Sequence, residues 1–286
     1  VALYNTTGGS AWTRKEGWFE SAMPGYWEGI STNDGHVTEI ALWSNHLVGS
    51  LPPELANLTK IQYLFLNGNA IEGTIPESLK ELTNLEYFSL YSNRFTGEIP
   101  AWIGNLTHLR FLELAANQLS GTIPSTIGNL PDLYTLSLGN NEFTGSIPTE
   151  IGSLTQLEYL FLNDNQLSGA VPESLKNLTQ LITDEFYGLD LGYNRLTVPA
   201  IPQSLADFLA VKDPDWYMTQ ARSDVVSPDS GGEIVSNDGS TILNFPAGST
   251  SSSLTFTFVP LFAPHYTMPS GRGSIGFNFS LEAQEH

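Results

Sequence analysis

The 286-residue chain contains no cysteine, and only 11 lysines and arginines stand against 30 aspartates and glutamates, for a formal charge of -19. Without cysteine there is no disulfide framework, no thiol nucleophile and no thiolate metal ligand. With so few cations no basic patch can neutralise a phosphate backbone, which excludes nucleic acid as a partner. No apolar run approaches the roughly 18 residues of a membrane span, so no spanning segment is expected. The histidines, His36, His46, His108, His265 and His286, are scattered without paired metal-ligand spacing. The oxygen-rich stretches at Asp213 to Trp216 and Ser236 to Gly239 lack the complete ligand pattern of a calcium loop. Carboxylates are plentiful, but acid and base chemistry needs two held at a defined separation in a cleft. The chain is therefore read as non-enzymatic, with no catalytic residue, metal site or cofactor.

What is present is a repeat. Asn45, Asn69, Asn93, Asn117, Asn141 and Asn165 recur with a constant 24-residue step, and Pro52, Pro76, Pro100, Pro124, Pro148 and Pro172 keep the same interval. Around each Asn the pattern is L-x-x-L-x-L-x-x-N-x-L/F-x-G-x-I-P. Its L-x-L alternation buries one side of a short strand and leaves the other facing solvent. An Asn turned inward at the strand end must satisfy a buried amide, and backbone groups of its own and adjacent coils are the natural partners. The following Gly permits a tight or positive-φ turn, and Ile-Pro holds the next segment extended. No single coil can bury both its strand leucines and its return-side Leu or Ile. Stacking supplies the core, at roughly 1.5 to 3 kcal/mol per fully buried side chain.

These residues, from about Val37 to Pro202, resemble leucine-rich repeats of the plant-specific L-x-G-x-I-P type. The resemblance implies a right-handed α/β solenoid with a parallel sheet on its concave side. Residues 1–36 resemble the N-terminal cap of that family, but Gly25 and Thr32 stand where the family carries its two cap cysteines. Trp12, Trp18 and Trp27 are then expected to hold the cap by packing alone. The solenoid with its closing cap is assigned to 37–222 and a linker to 223–230. Residues 231–286 are assigned to an all-β module in which G-G-x-I and F-P-A-G phrases resemble an incomplete ZU5-like domain. That tail resembles those of bacterial surface proteins and implies an extracellular or cell-surface location.

The solvent-facing strand positions form columns. One reads Glu39, Tyr63, Tyr87, Phe111, Thr135, Tyr159, and its neighbour reads Ala41, Phe65, Ser89, Glu113, Ser137, Phe161. With Trp43, Tyr91 and Tyr134 they make an aromatic, acid-dotted face suited to stacking on sugar rings or clamping an extended peptide. The candidate ligand-binding residues are Trp43, Tyr63, Phe65, Tyr87, Tyr91, Phe111, Glu113, Tyr134, Tyr159 and Phe161. The Asn interval lengthens between Asn165 and Asn194, and the inserted Asp184, Glu185, Phe186 and Tyr187 are candidates for a specificity element. The reading is an extracellular recognition or adhesion module for a protein or polysaccharide. Its rival is a structural subunit that self-associates into a layer or filament. Ice binding would need a flat, regular Thr or Asn surface, and the column Ser50, Thr74, Glu98, Thr122, Ser146, Ala170 is too irregular for it.

Overall fold

The computed structural model describes residues 1–18, 20, 23–183, 188–197 and 202–214, and the backbone of the strands Arg222–Val226, Gly232–Val235, Ile242–Phe245, Leu254–Pro260 and Phe279–Glu285. The repeat builds a solenoid. Its concave sheet has eight strands: Ile30–Asn33, paired antiparallel with His36–Ala41, then Tyr63–Phe65, Tyr87–Ser89, Phe111–Glu113, Thr135–Ser137, Tyr159–Phe161 and Leu189–Asp190 in parallel. Neighbouring strands of the regular coils meet one full repeat apart, so Tyr63 lies opposite Tyr87 and Tyr87 opposite Phe111. The alternation sends Leu64, Phe88, Leu112, Leu136 and Leu160 inward, where each is fully buried.

The Asn ladder closes the strand ends. Asn117 Oδ1 accepts from the Phe95 N–H (3.0 Å), and its Nδ2 donates to the carbonyls of Leu90 and Leu114 (both 3.0 Å). The same bonds recur at Asn69, Asn93, Asn141, Asn165 and Asn194. Preceding each ladder Asn is a left-handed residue. Ser44, Gly68, Ser92, Ala116, Asn140, Asp164 and Tyr193 all have φ between 48° and 68°.

After the ladder, the L-x-G segments form a second, seven-stranded parallel sheet from Val48–Gly49 to Arg195–Thr197. Its register falls short of the repeat, so that residues in equivalent places of successive coils are not opposite one another: Glu72 faces Arg94, Thr96 faces Gln118 and Thr144 faces Gln166. The convex return is built of five-residue 3-10 turns, such as Ala101–Asn105 and Ser125–Asn129, in place of α-helices. Gly104, Gly128 and Gly152 let these turns pack closely. A Cβ on Gly104 would lie 2.1 Å from the Thr126 carbonyl oxygen.

The cap is an aromatic cluster. Trp12 and Trp18 meet edge to face at 4.9 Å, and Trp18 meets Trp27 at 4.8 Å and Tyr4 at 5.9 Å. The buried indoles are satisfied: Trp12 donates to the Thr7 carbonyl and Trp18 to the Glu28 carbonyl. The two positions at which the cap departs from its family remain adjacent, since a Cβ built on Gly25 lies 3.8 Å from that of Thr32.

At the far end, the helix Gln203–Lys212 buries Leu205 and Leu209. Asp213 Oδ2 then accepts the Leu191 N–H at 2.7 Å, satisfying a backbone donor of the last coil. Beyond it, Arg222–Val226, Leu254–Pro260 and Phe279–Glu285 form a three-stranded antiparallel sheet, and Gly232–Val235 pairs with Ile242–Phe245. Strand pairing thus begins at Arg222, within the stretch expected to hold the end of the closing cap and the linker.

Candidate binding surface

Three columns cross the concave sheet. The two expected from alternation are present in register: Glu39, Tyr63, Tyr87, Phe111, Thr135, Tyr159, and Ala41, Phe65, Ser89, Glu113, Ser137, Phe161, the second continuing to Asp190. A third runs beside them through Thr38, Gln62, Glu86, Arg110, Tyr134 and Glu158. It is traced by the bonds from Gln62 N–H to the Thr38 carbonyl, from Glu86 to Gln62, and onward by the same step. This third column is where Tyr134 belongs.

The aromatic side chains join across coils. Tyr63 stacks on Phe65 at 6.4 Å, Phe65 meets Tyr87 at 4.6 Å, and Tyr87 stacks on Phe111 at 4.6 Å. Phe111 meets Tyr134 at 5.3 Å, Tyr134 meets Tyr159 at 5.9 Å, and Tyr159 meets Phe161 at 5.9 Å. Seven of the ten candidate residues therefore form one continuous chain of rings, all partly exposed. Trp43 and Tyr91 are the most exposed, at 50% and 46%, and stand apart at the strand ends. The Arg14 guanidinium lies 4.4 Å from the Trp43 ring centroid. Asp184, Glu185, Phe186 and Tyr187 lie outside the described residues. The residues flanking them are placed: Gly188 N–H donates to the Ile182 carbonyl (2.9 Å), and Ile182 N–H donates to the Glu158 carbonyl, at the edge of the third column.

Three tyrosines of the face reach a carboxylate on the next coil. Tyr63 donates to Glu86 (3.3 Å), Tyr87 to Glu113 (2.7 Å) and Tyr134 to Glu158 (2.6 Å). Strand alternation alone does not single out Glu86 and Glu158, although their place immediately before the aromatic column keeps the interval of the repeat. Two positions expected to face solvent are covered instead: Ser89 is fully buried and Thr135 is 9% exposed. Both are small side chains with larger ones opposite them on the neighbouring strands, Phe65 and Glu113 for Ser89, Phe111 and Tyr159 for Thr135, and a short side chain between long ones is shielded from solvent. Carboxylates dominate the columns through Glu39, Glu86, Glu113, Glu158 and Asp190, and among their described residues Arg110 is the sole cation.

The phenols feel this environment. Burial, then the hydrogen bond and charge of Glu113, raise the Tyr87 pKa far above its usual value. Burial and Glu86 raise that of Tyr63, and the hydrogen bond to Glu158 leads the rise at Tyr134. A folded pKa raised above the unfolded value of about 10 gives stabilisation that is complete below that value and is lost as pH rises through the folded pKa. A spectrophotometric alkaline titration is accordingly expected to show a group of tyrosines resisting ionisation until unfolding. Tyr87→Phe should remove part of that late-titrating amplitude.

Two family models match the chain, a leucine rich repeat over residues 35–95 and a leucine-rich repeat region over residues 100–186. The chain is a leucine-rich-repeat protein. Among solved structures, this leucine-rich-repeat protein is similar to PEPR1 in the PEPR1-AtPEP1 structure, with 32% identity over 71% of this chain and 29% of that one and a TM-score of 0.63. It is similar to the plant peptide hormone receptor RGFR1 in complex with RGF2, at 37% identity over 59% of this chain and 26% of that one (TM-score 0.55). A plant ice-binding protein is also similar, at 28% identity over 68% of this chain and 62% of that one (TM-score 0.61). The chain thus spans less than two thirds of the length of each. A search of curated proteins returns no match. Among the described residues no helix is long and apolar enough to cross a membrane, and no group of three or more histidines and carboxylates could hold a metal ion.

Proposed function

We propose that this protein is a non-catalytic recognition module that holds an extended segment of a partner protein along its concave face, outside the cell or at its surface. The observation that carries the reading is the unbroken chain of rings from Tyr63 to Phe161. Contiguous exposed aromatic surface of this kind marks contact sites, and rigid rings provide large contact area at low entropic cost. Similarity to a receptor whose ligand is a peptide hormone supports the same use. Adhesion, a bacterial source and a ZU5-like role for residues 231–286 in joining the solenoid to a larger assembly belong to this reading.

The test is an array of peptides and glycans probed with the protein and with Phe111→Ala. Phe111→Ala should weaken binding at least tenfold, as loss of a central aromatic anchor does, while the loss of its ring contacts with Tyr87 and Tyr134 lowers the urea unfolding midpoint without unfolding the protein. Glycan binding with no peptide binding would redirect the reading to polysaccharide. Growth of large species in concentration-dependent light scattering without ligand would favour self-association instead.

The ice-binding likeness finds less support. In the second sheet, hydroxyl residues that share a place in the repeat do not line up, because the shortened register sets Thr96 beside Gln118, Ser120 beside Glu142 and Ser168 beside Arg195; Thr122 and Thr144 do face each other, but they come from different places in the repeat. Thr96 and Thr144 also lie 3.4 and 3.2 Å from the carbonyls to which their hydroxyls donate, those of Gly73 and Gly121.

A further inference from the structure

We propose that the concave face contains a subsite for one cationic side chain, an arginine or lysine of the bound segment, centred on Glu113. The proposal rests on the peptide-recognition reading above and names the chemistry of the ligand.

In the second column the central positions are Ser89, Glu113 and Ser137, bracketed by Phe65 on one side and Phe161 on the other. With strands about 4.8 Å apart, this is a polar slot three strands wide between two aromatic walls. Tyr87 and Phe111, stacked at 4.6 Å, form its long side. A carboxylate set among ring faces suits a guanidinium or ammonium group, which gains from both charge and ring quadrupole.

An independent observation lies at the same place. Ser89 has no exposed surface, and its Oγ has no hydrogen-bond partner. Strand alternation puts it on the concave side, between the inward Phe88 and Leu90. A buried hydroxyl without a protein partner asks for an explanation, and a donor from a segment bound on this face supplies one. The Tyr87 ring, tied through its hydroxyl to Glu113 at 2.7 Å, belongs to the same cluster. A ligand cation that takes Glu113 from Tyr87 would free the phenol, engage both carboxylate oxygens and open Ser89 to a donor from the bound segment. Arg110 does not occupy the slot. It stands in the third column, on the other side of Phe111, 6.0 Å from that ring's centroid. The excess of carboxylates over the whole chain adds a field that draws a cationic segment toward the face.

The experiment uses an array of random nonapeptides synthesised in matched pairs, with arginine or the neutral isostere citrulline at the central position. It is probed with the full chain and with the Glu113→Gln, Ser89→Ala and Phe111→Ala variants. The expected result is a preference for arginine over citrulline of at least tenfold. Glu113→Gln should abolish that preference and Ser89→Ala should weaken arginine peptides severalfold, both with an unchanged unfolding midpoint. If peptides bind and Phe111→Ala releases them, yet arginine and citrulline bind alike, the cationic subsite is overturned and the concave peptide site stands. If no peptide binds, or Phe111→Ala has no effect, the peptide-recognition reading falls and the subsite falls with it.

Discussion

Asn165→Ala is expected to lower the free energy of unfolding by about 3 to 5 kcal/mol. The side chain is 8% exposed, and three buried bonds depend on it: its Oδ1 accepts from Phe143 N–H at 3.0 Å, and its Nδ2 donates to the carbonyls of Leu138 and Leu162 at 3.1 Å. Alanine removes one acceptor and two donors while leaving their backbone partners buried, and each stranded group costs about 1 to 3 kcal/mol. Some of that cost is relieved if the flanking coils loosen to admit water. A repeat chain gains stability from nearest-neighbour interfaces, so the loss should fall on the coils between Asn141 and Asn194 and broaden the transition. Urea unfolding followed by circular dichroism, with hydrogen exchange at Phe143, measures both effects. Asn84→Ala is the control: it loses an exposed bond to the Thr59 carbonyl and should change stability by less than about 0.5 kcal/mol. A similarly small effect at Asn165 would mean that the ladder bonds are replaced by water at little cost.

The second large effect is a gain. Replacing Gly25 and Thr32 together with cysteine should form a disulfide under oxidising conditions and stabilise the cap by about 2.5 kcal/mol, the chain-entropy value for a closed loop of about eight residues. A Cβ on Gly25 would sit 3.8 Å from the Thr32 Cβ, at the centre of the range found in disulfides. Such a Cβ would also lie 2.7 Å from Thr32 Oγ1, the atom that a sulfur engaged in the bridge replaces. Gly25→Ala alone keeps that crowding and should destabilise slightly. Thermal unfolding of the oxidised and reduced double variant, compared with the parent, checks the prediction. Lack of crosslinking despite free access to oxidant would mean that the aromatic cluster fixes the two backbones at a different relative orientation.

Much of the fold was legible because its determinants are periodic. A buried Asn at the same place in every repeat can be served only by stacked coils, and an L-x-L triplet assigns inward and outward positions without ambiguity, so the columns with Tyr63, Tyr87 and Phe111 could be written from the sequence. Other features depend on relations between coils. The left-handed residue before each ladder Asn is Gly only at Gly68; elsewhere it is Ser, Ala, Asn, Asp or Tyr, and the solenoid imposes the conformation against local preference. The second sheet was not foreseen because its strands are short, its signal is shared with the G-x-I-P turn, and its register differs from the repeat length. The hydrogen bonds from Tyr63, Tyr87 and Tyr134 to glutamates of the following coil, and the burial of Ser89 beside them, depend on where long side chains come to rest.

The ladder also acts as a ruler. Because each Asn binds the coil before it in the same way, copying or deleting one whole repeat would leave every inherited bond intact and change the length of the concave face by about 4.8 Å. Additions of any other size would break the chain of bonds unless they leave the ladder undisturbed. The longer step from Asn165 to Asn194 meets that condition: Leu167 N–H still reaches Asn194 Oδ1 at 3.0 Å, and Ile182 and Gly188 bond to each other across the base of the added residues. In descent, reach along a ligand can grow by duplication in fixed increments, while novelty enters where a coil is pinched shut.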